Sequence, residues 1–232
     1  MKKIFIVLTL VWFGLISNSY ASNFQRGLEA YSKGDYIAAH RVWYTLAAEG
    51  DARAQFWLGV MYDDGVGVEK DDQEALYWYN SSAEEGYHKA QNAMGLMYVK
   101  GKNVLQDYKE AARLFRLSSA QGNALGQYNL GLMYFNGMYV PQDFKEAEKL
   151  FRLSASQGSS FGQYGLGLIY VNGYGVIEDK VLAHMWFNIS SSKGHKEAKK
   201  ERDYIIKEMP ASQIEKAQDL ARQCVSNNYK GC

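Results

Sequence analysis

The chain has 232 residues, 47% hydrophobic, 14% aromatic and 22% charged, which is enough apolar material for a substantial core and excludes a disordered chain. Its 26 basic and 25 acidic residues leave a formal net charge of +1. A balance so near neutrality gives no electrostatic footprint for nucleic acid, so none is expected as a partner.

Residues 1–21, MKKIFIVLTLVWFGLISNSYA, read as a secretory signal peptide. Lys2 and Lys3 precede an uncharged run from Ile4 to Ile16, and the small residues Ser19 and Ala21 occupy the −3 and −1 positions. A helix over that run would span about 20 Å against a bilayer core of about 30 Å, so no stable membrane anchor is expected after cleavage. No cysteine near the cleavage point signals a lipid attachment. The expected location is the periplasm of a Gram-negative-type envelope, or the medium.

Residues 22–50 read as an N-terminal cap built from a shortened repeat. Tyr31 and Gly34 match Tyr62 and Gly65, but Gly34 to Gly50 is 16 residues where Gly65 to Gly86 is 21. From there a period of 36 residues dominates the chain, the signature of a repeat architecture. It carries Gly50, Gly86, Gly122, Gly158 and Gly194, then Gly59, Gly95, Gly131 and Gly167, then Tyr62, Tyr98, Tyr134 and Tyr170. Four full copies run 51–86, 87–122, 123–158 and 159–194.

Within a copy, apolar residues fall at helical spacing twice, as in Ala54, Leu58, Met61 and Tyr62 and again in Ala75, Tyr79 and Ala83, which predicts a helix hairpin. The second helix is expected to open at a shared aspartate. In three copies a glutamate follows three residues later (Asp71/Glu74, Asp107/Glu110, Asp143/Glu146), a variant of the capping box. Gly59 and its equivalents fall in mid-helix, where glycine costs about 1 kcal/mol relative to alanine, so close packing of the paired helix must offset it. The repeated Val68, Val104, Val140 and Val176 are expected to tuck under the loop between the helices. Gln55, Gln91, Gln127 and Gln163 are expected to bond between copies.

Residues 195–232 read as a C-terminal pair of capping helices, one from about His195 to Glu208 and one opening with the capping box Ser212 to Glu215. The chain's two cysteines, Cys224 and Cys232, lie here. In an oxidising compartment the pair is expected to close as a tail staple worth roughly 2–3 kcal/mol. Free thiols or a metal site are the alternatives, and two cysteines without a nearby histidine make a poor ligand set.

Copies such as AQNAMGLMYVKGKNVLQDYKEAARLFRLSSAQG resemble the Sel-1-like repeat, the 36-residue relative of the tetratricopeptide repeat. The resemblance covers four consecutive copies outright. It implies an all-α fold, a right-handed α/α superhelical solenoid of helix hairpins, and an adaptor role in protein assemblies, in bacteria often periplasmic or secreted. One branch of the family, cysteine-rich, is reported to bind or hydrolyse penicillin-like compounds, with a cysteine pair in each repeat; none of the four copies here contains a cysteine.

By resemblance to tetratricopeptide repeats, the free face of each first helix lines a concave groove. Counted from the repeated glycine, that face shifts from mixed charge at Arg53, Phe56 and Asp63 to apolar and aromatic at Tyr128, Leu132, Phe135, Phe161, Tyr164 and Leu168. Aromatic anchors are the usual hot spots of interfaces, so a protein or peptide partner is expected there. The competing reading buries these side chains against neighbouring helices or the Cys224–Cys232 tail.

No catalytic or metal-binding constellation emerges and no cofactor is implied. His40, His88, His184 and His195 fall at four different repeat positions, with no H-E-x-x-H pattern. Ser190 to Lys193 spells S-x-x-K, but neither S-D-N nor K-T-G follows, and Ser190 aligns with Ser82, Ser118 and Ser154. Asp63, Asp64, Asp71 and Asp72 lack the ligand alternation of a calcium loop. The sequence therefore reads as an exported scaffold that holds a protein partner. The alternatives are a cell-envelope enzyme acting on β-lactams or peptidoglycan, and a secreted host-interaction factor.

Overall fold

The computed structural model describes residues 23–232; the signal-peptide reading falls on residues outside them. The described residues form twelve α-helices, one three-residue 3-10 turn and no strand. In chain order they are α1 (23–32), α2 (Tyr36–Ala48), α3 (Ala52–Asp64), α4 (Asp72–Glu84), α5 (His88–Lys100) and α6 (Tyr108–Ala120). There follow α7 (Ala124–Asn136), α8 (Phe144–Ser156), α9 (Ser160–Asn172), α10 (Lys180–Ser192), α11 (Lys196–Ile205) and α12 (Ala211–Ser226). Contacts divide the chain into two compact units, residues 1–94 and 95–232, and the division falls within α5. Each unit is a stack of consecutive helix hairpins.

Two glycines per copy punctuate the hairpins, and both need a left-handed backbone. Gly65, Gly101, Gly137 and Gly173 end the first helix of each copy at φ of 64 to 67°. The amides of Gly65, Gly137 and Gly173 donate to the carbonyls of Met61, Met133 and Ile169. Gly86, Gly122, Gly158 and Gly194 end the second helix, and the next amide in each case donates to the carbonyl of Ser82, Ser118, Ser154 or Ser190.

The second helix starts one residue after the shared aspartate, which is its N-cap. Asp71 accepts from the amides of Gln73 and Glu74, and Asp107 and Asp143 do the same in their copies. The expected return bond of a capping box is replaced. The amides of Asp71, Asp107, Asp143 and Asp179 donate to the carbonyls of Tyr62, Tyr98, Tyr134 and Tyr170, nine residues back. With that amide already satisfied by the preceding helix, the glutamates turn elsewhere: Glu74 accepts from the Trp78 indole, Glu110 pairs with Arg113 and Glu146 with Lys149. The repeated valine packs under this loop. Val140 is buried, and Val68 and Val176 lie against the core of their own units.

The mid-helix glycines meet a ring. A Cβ placed on Gly59 would lie 2.6 Å from Tyr79, on Gly95 2.5 Å from Phe115, on Gly131 2.7 Å from Phe151, and on Gly167 2.3 Å from Phe187. Each contact joins the two helices of one hairpin, and the rings share the 36-residue period. Burial of an aromatic side chain and the close helix approach offset the propensity cost of the glycine. Within a copy, a serine of the second helix also ties back to the start of the first: the Ser82 hydroxyl donates to the Ala52 carbonyl, Ser154 to Ala124 and Ser190 to Ser160, at 2.5 to 2.7 Å.

In unit 1 the core is Trp43, Leu46, Leu58, Met61 and Trp78. Trp43 stacks on Trp57 with ring centroids 5.2 Å apart, and the Arg53 guanidinium lies 4.5 Å from the centre of Phe24. In unit 2, α10 packs against α9, α11 and α12. The last helix begins at Ala211, earlier than expected, with Pro210 at the N-cap and no side-chain cap. The Pro210 carbonyl accepts from the amides of Gln213 and Ile214, so Ser212 sits inside the first turn and the expected Ser212 capping box does not form. Cys224, buried against the Phe151, Trp186 and Ile189 core, is bonded to Cys232 with Cα atoms 5.5 Å apart. The tail is held at two further points: Lys193 lies 4.1 Å from the centre of Tyr229, and Arg152 donates to the Cys232 carbonyl at 2.9 Å.

Candidate functional site

Because the glycine-bearing side of each first helix is taken up by the ring of its partner helix, the side chains at the variable positions are left on another face. In unit 2 that face belongs to α7 and α9. Neither helix, ALGQYNLGLMYFN or SFGQYGLGLIYVN, contains a charged residue.

Tyr128 is half-buried, its ring 5.6 Å from Phe151 below it and 5.5 Å from Phe161 on the next copy. Phe161 is 44% exposed, and Leu125, one period before it on α7, is 43% exposed. Leu132 and Phe135 pack against the Phe151 and Leu166 core, with Phe135 5.3 Å from Tyr174. Tyr164 and Leu168 pack against Ala183 and Phe187. These residues are partly buried by one another and by their own hairpin partners, and Phe161 stays the most exposed of them. The tail is elsewhere: it meets Arg152 on α8 and Lys193 after α10. Phe56 lies in unit 1, half-buried with its ring 5.7 Å from Tyr79 and 5.5 Å from Tyr87.

His195 joins this surface, although its place in the sequence pointed to no site. Its ring is stacked on Tyr164, 4.5 Å between centroids, and meets Phe161 edge-on at 5.3 Å. It is the N-cap of α11, with Nδ1 accepting from the Ala198 amide. A signal was present: one further period beyond Ser159 falls on His195, and one beyond Phe161 falls on Glu197, so α11 continues the series of first helices.

The phenols of this face stay protonated. Burial pushes the Tyr128 hydroxyl up to about 12, with Tyr164 adding to it. Burial also raises Tyr164, and the carboxylates of Glu201 and Glu197 raise it further. Both hydroxyls are therefore neutral donors at any physiological pH.

The residues considered for catalysis and metal binding are placed differently. Ser190 is fully buried, its hydroxyl given to the Ser160 carbonyl. His184 is 1% exposed and neither ring nitrogen finds a partner. In the acidic loop of unit 1, Lys70 donates to the Asp63 carbonyl at 3.0 Å and sits 3.7 Å from Asp72, a cation already within the cluster. Among the described residues no group of three or more His, Cys, Asp or Glu is arranged to hold a metal ion.

The glutamines serve copy by copy. Gln55 donates to the Ala47 carbonyl and Gln91 to Ala83, while Gln127 accepts from Gln157. The Gln127–Gln157 bond lies within one copy and Gln163, fully buried, has neither amide atom bonded, so the expected bond to the preceding copy is made by Gln55 and Gln91 and not by Gln163.

The Sel1 repeat profile matches residues 52–87, 88–123, 124–159 and 160–195, displaced by one residue from the copies bounded by the periodic glycines. Among solved structures, a Sel1 repeat protein from Oxalobacter formigenes is 27% identical, with a TM-score of 0.73 over 88% of each chain. The protein c5321, described as a protective antigen present in uropathogenic Escherichia coli strains and displaying an SLR fold, is 26% identical with a TM-score of 0.60. That alignment covers 90% of this chain but only 55% of c5321. A putative Sel1 repeat protein from Klebsiella pneumoniae, 23% identical over 80% of this chain and 92% of its own, shares the fold at a TM-score of 0.54. No curated protein sequence matches the chain.

Proposed function

The chain belongs to the Sel1 repeat family, and from that premise we propose that it is an exported scaffold which captures a protein or peptide segment on the α7/α9 face. Sel1 repeat proteins are protein-interaction scaffolds, generally without catalysis. The observation that carries the reading is the exposed Phe161, on the uncharged helix α9 and set between Tyr128 of the equally uncharged α7 and His195 at the start of α11. An apolar and aromatic surface of this kind favours a binding partner over open solvent. Residues 1–21 support export to the periplasm or the medium, and the Cys224–Cys232 bond suits an oxidising compartment.

The test is crosslinking inside the cell from a photoreactive residue at position 128 or 164, with position 109 on the exposed side of α6 as the control. A defined adduct from 128 and 164 alone supports the scaffold. No adduct, or equal labelling from 109, removes it. Fractionation of the same cells reports the compartment.

A further inference from the structure

The face described above ends on α11, and the two ends of that step differ in charge. Across α7 and α9 a partner meets no charged side chain. On α11 it meets Glu197, one period beyond Phe161, and Glu201 beside it.

The other charges of α11 are either engaged or turned away. Lys199 donates to Asp203 at 2.7 Å, and Arg202 bonds Asp203, Asn188 and Ser191. Lys196 and Lys200 lie on the side of the helix opposite the buried Ala198 and Ile205, exposed to water. Glu201 has no bonded partner, and Glu197 has only the His195 ring, 3.8 Å from its carboxylate. Both carboxylates are near enough to Tyr164 to act on its hydroxyl. No lysine or arginine is bonded to either carboxylate, so both are open to a basic group of a partner at this end of the aromatic surface.

Resting on the proposed capture of a peptide segment by the α7/α9 face, we infer that the segment carries uncharged apolar or aromatic side chains over α7 and α9 and a lysine or arginine at the end that reaches Glu197 and Glu201. A charged partner residue over α7 or α9 would lose its hydration with no opposite charge to replace it, which disfavours it there. The same residue at the α11 end meets two carboxylates at the solvent edge. There the desolvation is small and the attraction sets orientation and partner choice more than affinity. The polarity fixes direction as well: the apolar stretch and the basic end cannot exchange places.

The experiment uses three fluorescent synthetic peptides of about twelve residues sharing one Leu/Phe/Tyr core, ending in two lysines, two glutamates or two glutamines. Fluorescence polarisation with the full chain is expected to rank Lys over Gln over Glu, with the Lys and Glu peptides about 5- to 20-fold apart at low salt and closer at high salt. In E197Q/E201Q, two surface changes that leave the core untouched, the ranking of the three peptides is expected to collapse. Phe161→Asp is expected to weaken all three. If the peptides bind, lose affinity in Phe161→Asp, and yet show no charge ranking, the charge inference is overturned and the groove survives. If none binds, or Phe161→Asp changes nothing, the groove itself is overturned.

Discussion

The His195 imidazole lies flat against the Tyr164 ring, 4.5 Å between centroids and 23° between planes, while its Nδ1 caps the first turn of α11. One side chain thus belongs both to the aromatic surface and to the start of the capping pair. The cap needs Nδ1 unprotonated.

Acid should therefore loosen the C-terminal unit. Burial holds His195 below its ordinary value, with Glu197 opposing; burial, then Arg202, holds His184 below its own, with Asp203 opposing. A folded pKa depressed in this way means the unfolded chain binds the proton more readily. The stability from the neutral ring is complete above the unfolded value of about 6.5 and is lost as pH falls through and below it. Urea midpoints taken at about pH 8 and about pH 5 should show the lower value in acid, and H195N, which keeps a capping acceptor, should narrow the difference. A midpoint that rises in acid would refute this.

Gly167→Ala should destabilise although alanine is the better helix former. The added methyl would lie 2.3 Å from Phe187, and overpacking of about 1–3 kcal/mol exceeds the gain of about 1 kcal/mol in propensity. Chemical denaturation of G167A decides the sign. Combining it with Phe187→Leu, which removes the ring, should recover part of the loss.

The aspartate and the glutamate of the second-helix start should separate cleanly. Asp143→Ala removes an acceptor of two amides and should cost about 1 kcal/mol. Glu146→Ala removes only an exposed pair with Lys149 and should cost less than about 0.5 kcal/mol. Equal losses would restore the reciprocal capping box that the Tyr134 carbonyl displaces.

Reduction of Cys224–Cys232, or the double serine variant, should lower stability by about 2–3 kcal/mol, since the bond closes a loop with a sequence separation of 8. Thermal melts with and without a reductant check it. The tail should also become a site of proteolysis near Lys230, because its remaining holds are single contacts from Lys193 and Arg152.

The repeat was legible because its glycines, tyrosines and aspartates sit at positions where backbone conformation or close packing accepts few alternatives. The glycine–ring pairing was half legible: Gly59 required a close neighbour, and Tyr79, Phe115, Phe151 and Phe187 share the period, but which ring meets which glycine depends on how two helices are rotated. The bond from Asp71 to the Tyr62 carbonyl left no trace, since it joins backbone to backbone and any residue could make it. Ser212-x-x-Glu215 misled because the pattern can sit within a first turn when a proline carbonyl ahead of it starts the helix. On the candidate face, the aromatic positions were reached by counting from the repeated glycine of each first helix. His195 was not, because the period was stopped one helix early.

Helix α9 carries Gly162, Gly165 and Gly167 within six residues, and each is pressed against a neighbour: Ser154, Phe151 and Phe187. At about 1 kcal/mol apiece relative to alanine, this helix has little tendency to form alone. It exists because α8 and α10 clamp it from both sides. The stretch from α8 to α10 should then open and close as one cooperative block, whereas repeat arrays with self-sufficient helices fray from the end inward. The aromatic face would thus be lost all at once or not at all, and a partially unwound chain offering half of it to a partner would not accumulate.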